Sequence, residues 1–120
     1  MNTSFTLSKH EKLKSTEAID NLFVGGQSFV EYPIRVVYKT IEECDGNKVA
    51  FSCSKRNFKH AVDRNRIKRL MREAYRLNKH KLQQKNFHII FLYIDRKIQS
   101  FQNIEKEMIT ILSKINQQNP

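Results

Sequence analysis

"AVDRNRIKRLMREAYR", residues 61–76, holds five arginines and one lysine in sixteen positions, against only Asp63 and Glu73 as acids. Helical residues advance by about 100° each. On that wheel Ile67, Leu70, Met71 and Ala74 share one arc, which predicts a helix seated on a core. Lys68, Arg72, Arg76, Asn65 and Arg69 share the opposite arc, with Arg66 to one side. Arg64 falls near the apolar boundary in the first turn. Like charges at helical spacing repel. The apolar stripe therefore holds a cationic ridge in place, and the ridge awaits a polyanion.

The surrounding chain sharpens this. Between Lys55 and Lys81 eleven Lys or Arg face the two acids, a net of +9 in a chain of 120 residues whose total is +10. A solvated helix face mixes signs for i,i+4 pairing, and this one does not. Nucleic acid and anionic membrane are the two common explanations of such a balance. A membrane-surface helix needs a wider apolar arc with large exposed aromatics, which this segment lacks. The longest apolar run, "IIFLYI" (89–94), is strand-sized, and no charged-then-apolar leader opens the sequence. Cys44 and Cys53 have no CxxC spacing and read as reduced thiols, Cys53 on a core face. A cytoplasmic, single-domain protein without membrane contact is expected, spanning 1–120 with its core at about 9–115.

Outside the basic helix, "STEAIDNLF" (15–23) predicts a short helix capped at Ser15 or Thr16 and stopped by Gly25-Gly26. "YPIRVVYKTI" (32–41) reads as a strand and "EECDGN" as a turn. "KVAFSCS" (48–54) alternates, with Val49, Phe51 and Cys53 toward the core and Ala50, Ser52 and Ser54 on a small, polar face left open. "NFHIIFLYI" (86–94) predicts a central strand covered on both sides, and 103–115 an amphipathic helix. The order α-β-β-(β)-α-β-α defines an α+β layer with a mostly antiparallel sheet. A parallel pair flanking the basic helix would take a right-handed crossover by the general rule.

The chemistry of the ridge favours RNA. A guanidinium pairs bidentately with phosphate and stacks on bases, and the Asn65 amide both donates and accepts. No Ser-His-Asp arrangement, P-loop or supported carboxylate pair is visible, so no catalytic residue is expected. His10, His60, His80 and His88 lack ligand spacing with one another or with Cys, so no metal site is expected.

"SKRNFKHAVDRNRIKRLMREAYR" (54–76) closely resembles the signature of the bacterial ribonuclease P protein component, whose core reads R-N-R-x-K-R-x-x-R. Arg64, Asn65, Arg66, Lys68, Arg69 and Arg72 stand at those positions, preceded by Lys55-Arg56. "KLKSTEAIDNLFVGGQSF" (12–29) is similar to the family's opening helix, and "FHIIFLYI" to its later strand. The resemblance implies a subunit that works with a catalytic RNA to remove 5′ leaders from precursor tRNA. The RNA would perform the hydrolysis with Mg²⁺; no cofactor is bound by a protein motif and no DNA is expected as a partner. It also implies a two-layer α–β sandwich of the ribosomal protein S5 domain 2-like kind, with a left-handed βαβ crossover. Those eight residues, with Arg76 beside them on the ridge, are the RNA-binding candidates. Phe23 matches an aromatic of the family's leader cleft, and a second aromatic usual there is replaced by Ile19. Strand alternation adds Ser52, Ser54, Arg35 and Val37 to the cleft. The alternative is a structural RNA-binding protein, ribosomal-protein-like, without a processing role; an autonomous nuclease is disfavoured by the missing catalytic constellation.

Overall fold

A computed structural model describes residues 11–42, 46–83 and 86–118. Three helices and four strands follow in the order α1 (Thr16–Gly25), β1 (Gln27–Glu31), β2 (Ile34–Thr40), β3 (Lys48–Cys53), α2 (Ala61–Asn78), β4 (Phe87–Tyr93) and α3 (Phe101–Gln118), with a 3₁₀ turn at Lys79–Lys81. The sheet order is β1-β2-β4-β3. β1–β2 and β2–β4 are antiparallel, and β3–β4 is parallel. β4 is therefore central, as its nearly unbroken apolar run predicts. The expected order allows a third strand before the basic helix without placing it; the structure puts that strand at 27–31, ahead of the two read from the sequence.

Local chemistry sets the element ends. The Ser15 hydroxyl accepts from the Ala18 amide at the start of α1, and the Gly26 amide closes its end on the Leu22 carbonyl. α3 begins two residues before the predicted Asn103, because Ser100 caps it: its hydroxyl accepts from the Asn103 amide at 3.2 Å. In the β2–β3 turn Gly46 has φ +110°, a conformation that favours glycine. The rest of that turn, residues 43–45 including Cys44, lies outside the described residues, as does His10.

Period-two alternation then divides the core. Ile34, Val36, Tyr38, Val49, Ile89, Phe91 and Tyr93 point to one face, where Ile67, Met71, Ala74 and Tyr75 of α2 and Ile104, Met108, Ile111, Leu112 and Ile115 of α3 cover them. This is the sandwich of sheet and helices. On the opposite face a smaller cluster gathers Val37 and Ile90 under Leu22 of α1, with Leu13 beside them. Phe51 and Cys53 are only half-buried against the larger core, because β3 is an edge strand.

Candidate nucleic-acid interface

Burial fixes how α2 presents its cations. Ile67, Met71 and Ala74 are fully buried and Leu70 half-buried, as the wheel predicts. Tyr75 and Asn78 are buried as well, and Asn78 Nδ2 donates to the Ala74 carbonyl at 2.8 Å and to Glu105 Oε2 at 3.1 Å. These contacts lock α2 against α3, so the outward flank is rigid. Asn65, Arg66, Arg69 and Arg72 are exposed on it. Arg72 also reaches β3: its guanidinium carbon stands 5.8 Å from the Phe51 ring centroid, a cation–π contact that leaves the N–H fork free at its rim.

Two cations of the helix, Arg64 and Arg76, are instead engaged within the chain. Arg64 is half-buried, and its Nη1 donates to the carbonyls of Phe58 and Lys59, both at 2.8 Å. It ties the loop before α2 to the helix's first turn, where the N-cap residue His60 makes no side-chain cap. Lys68 is half-buried on the same flank. Burial pushes the Cys53 thiol up, and the nearby charges of Arg64 and Lys68 pull it partly back. Arg76 pairs with Glu73 one turn earlier, and that hydrogen bond holds the Glu73 carboxyl below its usual range. Solvent screening leaves a pair of this kind little weight in stability. Lys55 and Arg56 are exposed in the turn after β3, which the Ser54 hydroxyl organises by accepting from the Arg56 amide at 3.0 Å. Ser54 thus supports the basic turn as well as bordering the open face. Among the described residues, ion pairs join Arg76–Glu73, Lys79–Glu11 and Lys114–Glu31; none involves Lys55, Arg56, Arg66, Arg69 or Arg72.

The α1 face of the sheet is ordered in cross-strand rows. Val30, Arg35, Leu92 and Ser52 form one; Ser28, Val37, Ile90 and Ala50 the next; Lys39, His88 and Lys48 the last. α1 covers the middle row. Val37 accordingly lies on the predicted face but is 2% exposed, and it cannot meet a ligand. Its burial comes from tertiary packing: a Cβ at Gly26 would lie 3.0 Å from Val37 Cγ1, so the end of α1 sits directly on it. One flank of α1, with Ala18, Asn21 and Gly25, faces Lys39 and His88. Helical spacing turns Ile19 and Phe23 to the other flank, over the first row. Phe23 is 48% exposed there, and Ile19 is half-buried against the smaller cluster. Arg35 is exposed, its Nε held by Ser28 Oγ at 3.1 Å, and Ser52 is half-buried. Phe23 on that flank and the row of Arg35, Leu92 and Ser52 are therefore the candidate groove on this side of α1.

Sequence reasoning missed Val30 and Leu92 in this row. Val30 is exposed, and Leu92 is half-buried. The alternation of 27–31 was the available signal for Val30. Leu92 is hidden in an apolar run that shows no period. Among the described residues no three His, Cys, Asp or Glu side chains come together to hold a metal, and no helix is long and apolar enough to cross a membrane.

A sheet backed by two helices, with a basic helix at its parallel edge and a groove on its reverse, defines the class: a small cationic α+β protein with an open sheet face. Comparison with known proteins is specific. The ribonuclease P family model matches residues 7–116. The ribonuclease P protein component of Porphyromonas gingivalis is 40% identical over 123 residues, covering 93% of this chain and 88% of that protein. That of Clostridium botulinum is 29% identical over 107 residues, covering 88% and 95%. The solved RNase P protein of Staphylococcus aureus superposes with a TM-score of 0.77 at 23% identity, over 88% of this chain and 94% of that one. The Thermotoga maritima protein gives 0.76 at 20% identity, over 87% and 96%. The chain belongs to the ribonuclease P protein family, the protein components of an endoribonuclease of tRNA 5′ processing. Nothing in these likenesses favours a ribosomal-protein-like role.

Proposed function

We propose that this protein binds the catalytic RNA of ribonuclease P through the flank of α2 and receives the 5′ leader of precursor tRNA in the groove beside Phe23. The observation that carries the reading is the set of exposed, unopposed cations Lys55, Arg56, Arg66, Arg69 and Arg72 on a rigid helix and its preceding turn. Each phosphate such a cation neutralises releases condensed counterions, so affinity falls steeply with salt. Asn65 stands among them and supplies an amide for a base edge or ribose. Arg64 acts indirectly, by holding the loop that carries Phe58 and Lys59 against the helix. In the groove, Phe23 offers a face for a base, and Arg35 a charge for the backbone. At Ile19 the contact is apolar only.

Hydrolysis belongs to the RNA in this reading, and the Mg²⁺ it uses would be held by RNA oxygens. The protein's part is to raise the affinity for leader-bearing substrate. We place it in the cytoplasm with that RNA. The test is reconstitution of the full chain with its own ribonuclease P RNA at low Mg²⁺, assayed for leader removal. The complex should cleave and the protein alone should not. Cleavage by protein without RNA would overturn the division of labour. Failure to associate with the RNA at about 0.15 M salt, where specific complexes persist, would overturn the binding assignment.

A further inference from the structure

Across α1 from the groove, the sheet face ends in the row Lys39–His88–Lys48, directly opposite one another on β2, β4 and β3. A pocket of about 280 Å³ opens at the Lys39 and His88 end of that row, with Leu22 and Ile41 among its apolar walls and Asn21, Lys39 and His88 among its polar ones; Lys48, at the far end of the row, stands outside its lining. Among the described residues no acid lines it, and neither Lys39 nor Lys48 pairs with a described carboxylate. Burial and the Lys48 charge hold the His88 imidazole below its ordinary range. At neutral pH the ring is then uncharged, with one donor and one acceptor nitrogen. Lys39 extends along the end of α1: its Nζ lies 2.9 Å from where a Cβ at Gly25 would stand. A side chain at that position would displace the ammonium.

Each feature matches one part of a nucleotide. Two ammonium-bearing strands flank a central one, so the Lys39 and Lys48 backbones stand about 10 Å apart and their flexible stems can converge on a phosphate. Leu22 and Ile41 offer an apolar surface for a base face, and the Asn21 amide can pair with a base edge. The volume lies just below the roughly 300 Å³ at which sites for larger ligands begin, which suits one nucleotide and no more.

We propose that this pocket takes a single nucleotide of an RNA strand, its base against Leu22 and Ile41 and its phosphate at Lys39 and Lys48. The proposal rests on the reading of the protein as an RNA binder, but on none of the α2 residues. It makes α1 a divider: the leader groove lies on one flank and a second RNA contact on the other.

The test is an NMR titration of the full chain with four probes: adenosine 5′-monophosphate, adenosine, inorganic phosphate and the oligoribonucleotide A₄. The monophosphate should shift the Asn21 and His88 signals at a concentration at least about tenfold below that needed by adenosine or phosphate, a factor worth about 1.4 kcal/mol. A₄ should bind there at least as tightly as the monophosphate. Lys39→Gln and Lys48→Gln, each checked for an unchanged amide spectrum, should each weaken the effect severalfold. Signals at Asn21 and His88 that stay fixed while those of α2 move would overturn the pocket and leave the proposed function standing. Tighter binding of the monophosphate than of A₄ would mark a free-nucleotide site and overturn the RNA assignment. Loss of association between the whole protein and its ribonuclease P RNA, by contrast, would overturn the function and not this pocket.

Discussion

Phe91 and Leu92 are neighbours on β4 with opposite fates. Phe91 is fully buried between the Phe51 ring, stacked at 5.4 Å between centroids, and the Tyr75 ring at 5.7 Å. Leu92 faces the other way, half-exposed in the row with Arg35 and Ser52. The first face is closed by two helices of 18 residues each, the second by one helix of 10. Stability is thus concentrated on one side of the sheet, and the other side is left with apolar floor and room above it. The same asymmetry serves α2, whose inner stripe is part of the closed core and whose outer flank carries the charge. A firmly packed face is what allows the remaining surfaces to be chosen for binding.

The sharpest way to break this contrast is to truncate both neighbours. Phe91→Ala should cost about 3–5 kcal/mol by urea denaturation, because it empties a fully buried space between two aromatic rings. Leu92→Ala should cost less than about 1.5 kcal/mol, since water already reaches it. Equal losses would mean that the open face carries as much of the fold as the closed one. On the open face itself, Phe23→Ala should weaken binding of leader-bearing precursor by about 1–3 kcal/mol, the range of one base-stacking contact, and leave mature tRNA binding unchanged. A matching loss for mature tRNA would remove the leader from that groove.

Arginines on α2 sharpen the comparison further. Arg64→Ala should lower stability by about 1–2 kcal/mol, because two loop carbonyls lose a charged donor in a half-buried site. Arg69→Ala should leave stability within about 0.5 kcal/mol. It should instead weaken RNA binding and reduce the slope of log affinity against log salt by about 1. If Arg69 behaved like Arg64, the exposed flank would be structural after all.

These residues also show what a linear reading can reach. The division of α2 into an apolar stripe and a ridge is legible because both follow one local period. The Arg76–Glu73 pair stood at i,i+3 spacing and was open to the same reasoning. Tyr75 and Asn78 join the buried stripe through α3 and β3, which no local pattern announces. Arg64 turns back onto the Phe58 and Lys59 carbonyls, a contact that depends on the path of the loop before α2. Val37 alternates correctly with Arg35, yet only the docking of α1 decides that one is covered and the other open. Periodicity assigns a residue to a face; a second element decides whether that face meets solvent.

The smallest expected effect tests the open face from its far end. His88 lies in the last cross-strand row, half-buried, with its imidazole held below the ordinary range first by burial and then by Lys48. A basic group with a depressed value in the folded state binds its proton more readily in the unfolded chain. Its contribution to stability is complete above about pH 6.5, the unfolded value, and is lost as pH falls below that toward the folded one. Asp95, whose carboxyl is held low by the Gln99 hydrogen bond first and by burial-opposed contacts from Tyr32 and two loop amides, acts only in a more acidic window. Urea midpoints should therefore begin to fall just below about pH 6.5 in the native chain, and His88→Gln should flatten that part of the curve while leaving the acid limb of Asp95 in place. A curve unchanged by His88→Gln would mean that the row beside α1 is as well hydrated as a free surface, and the open face would then begin one strand row earlier than the packing of α1 indicates.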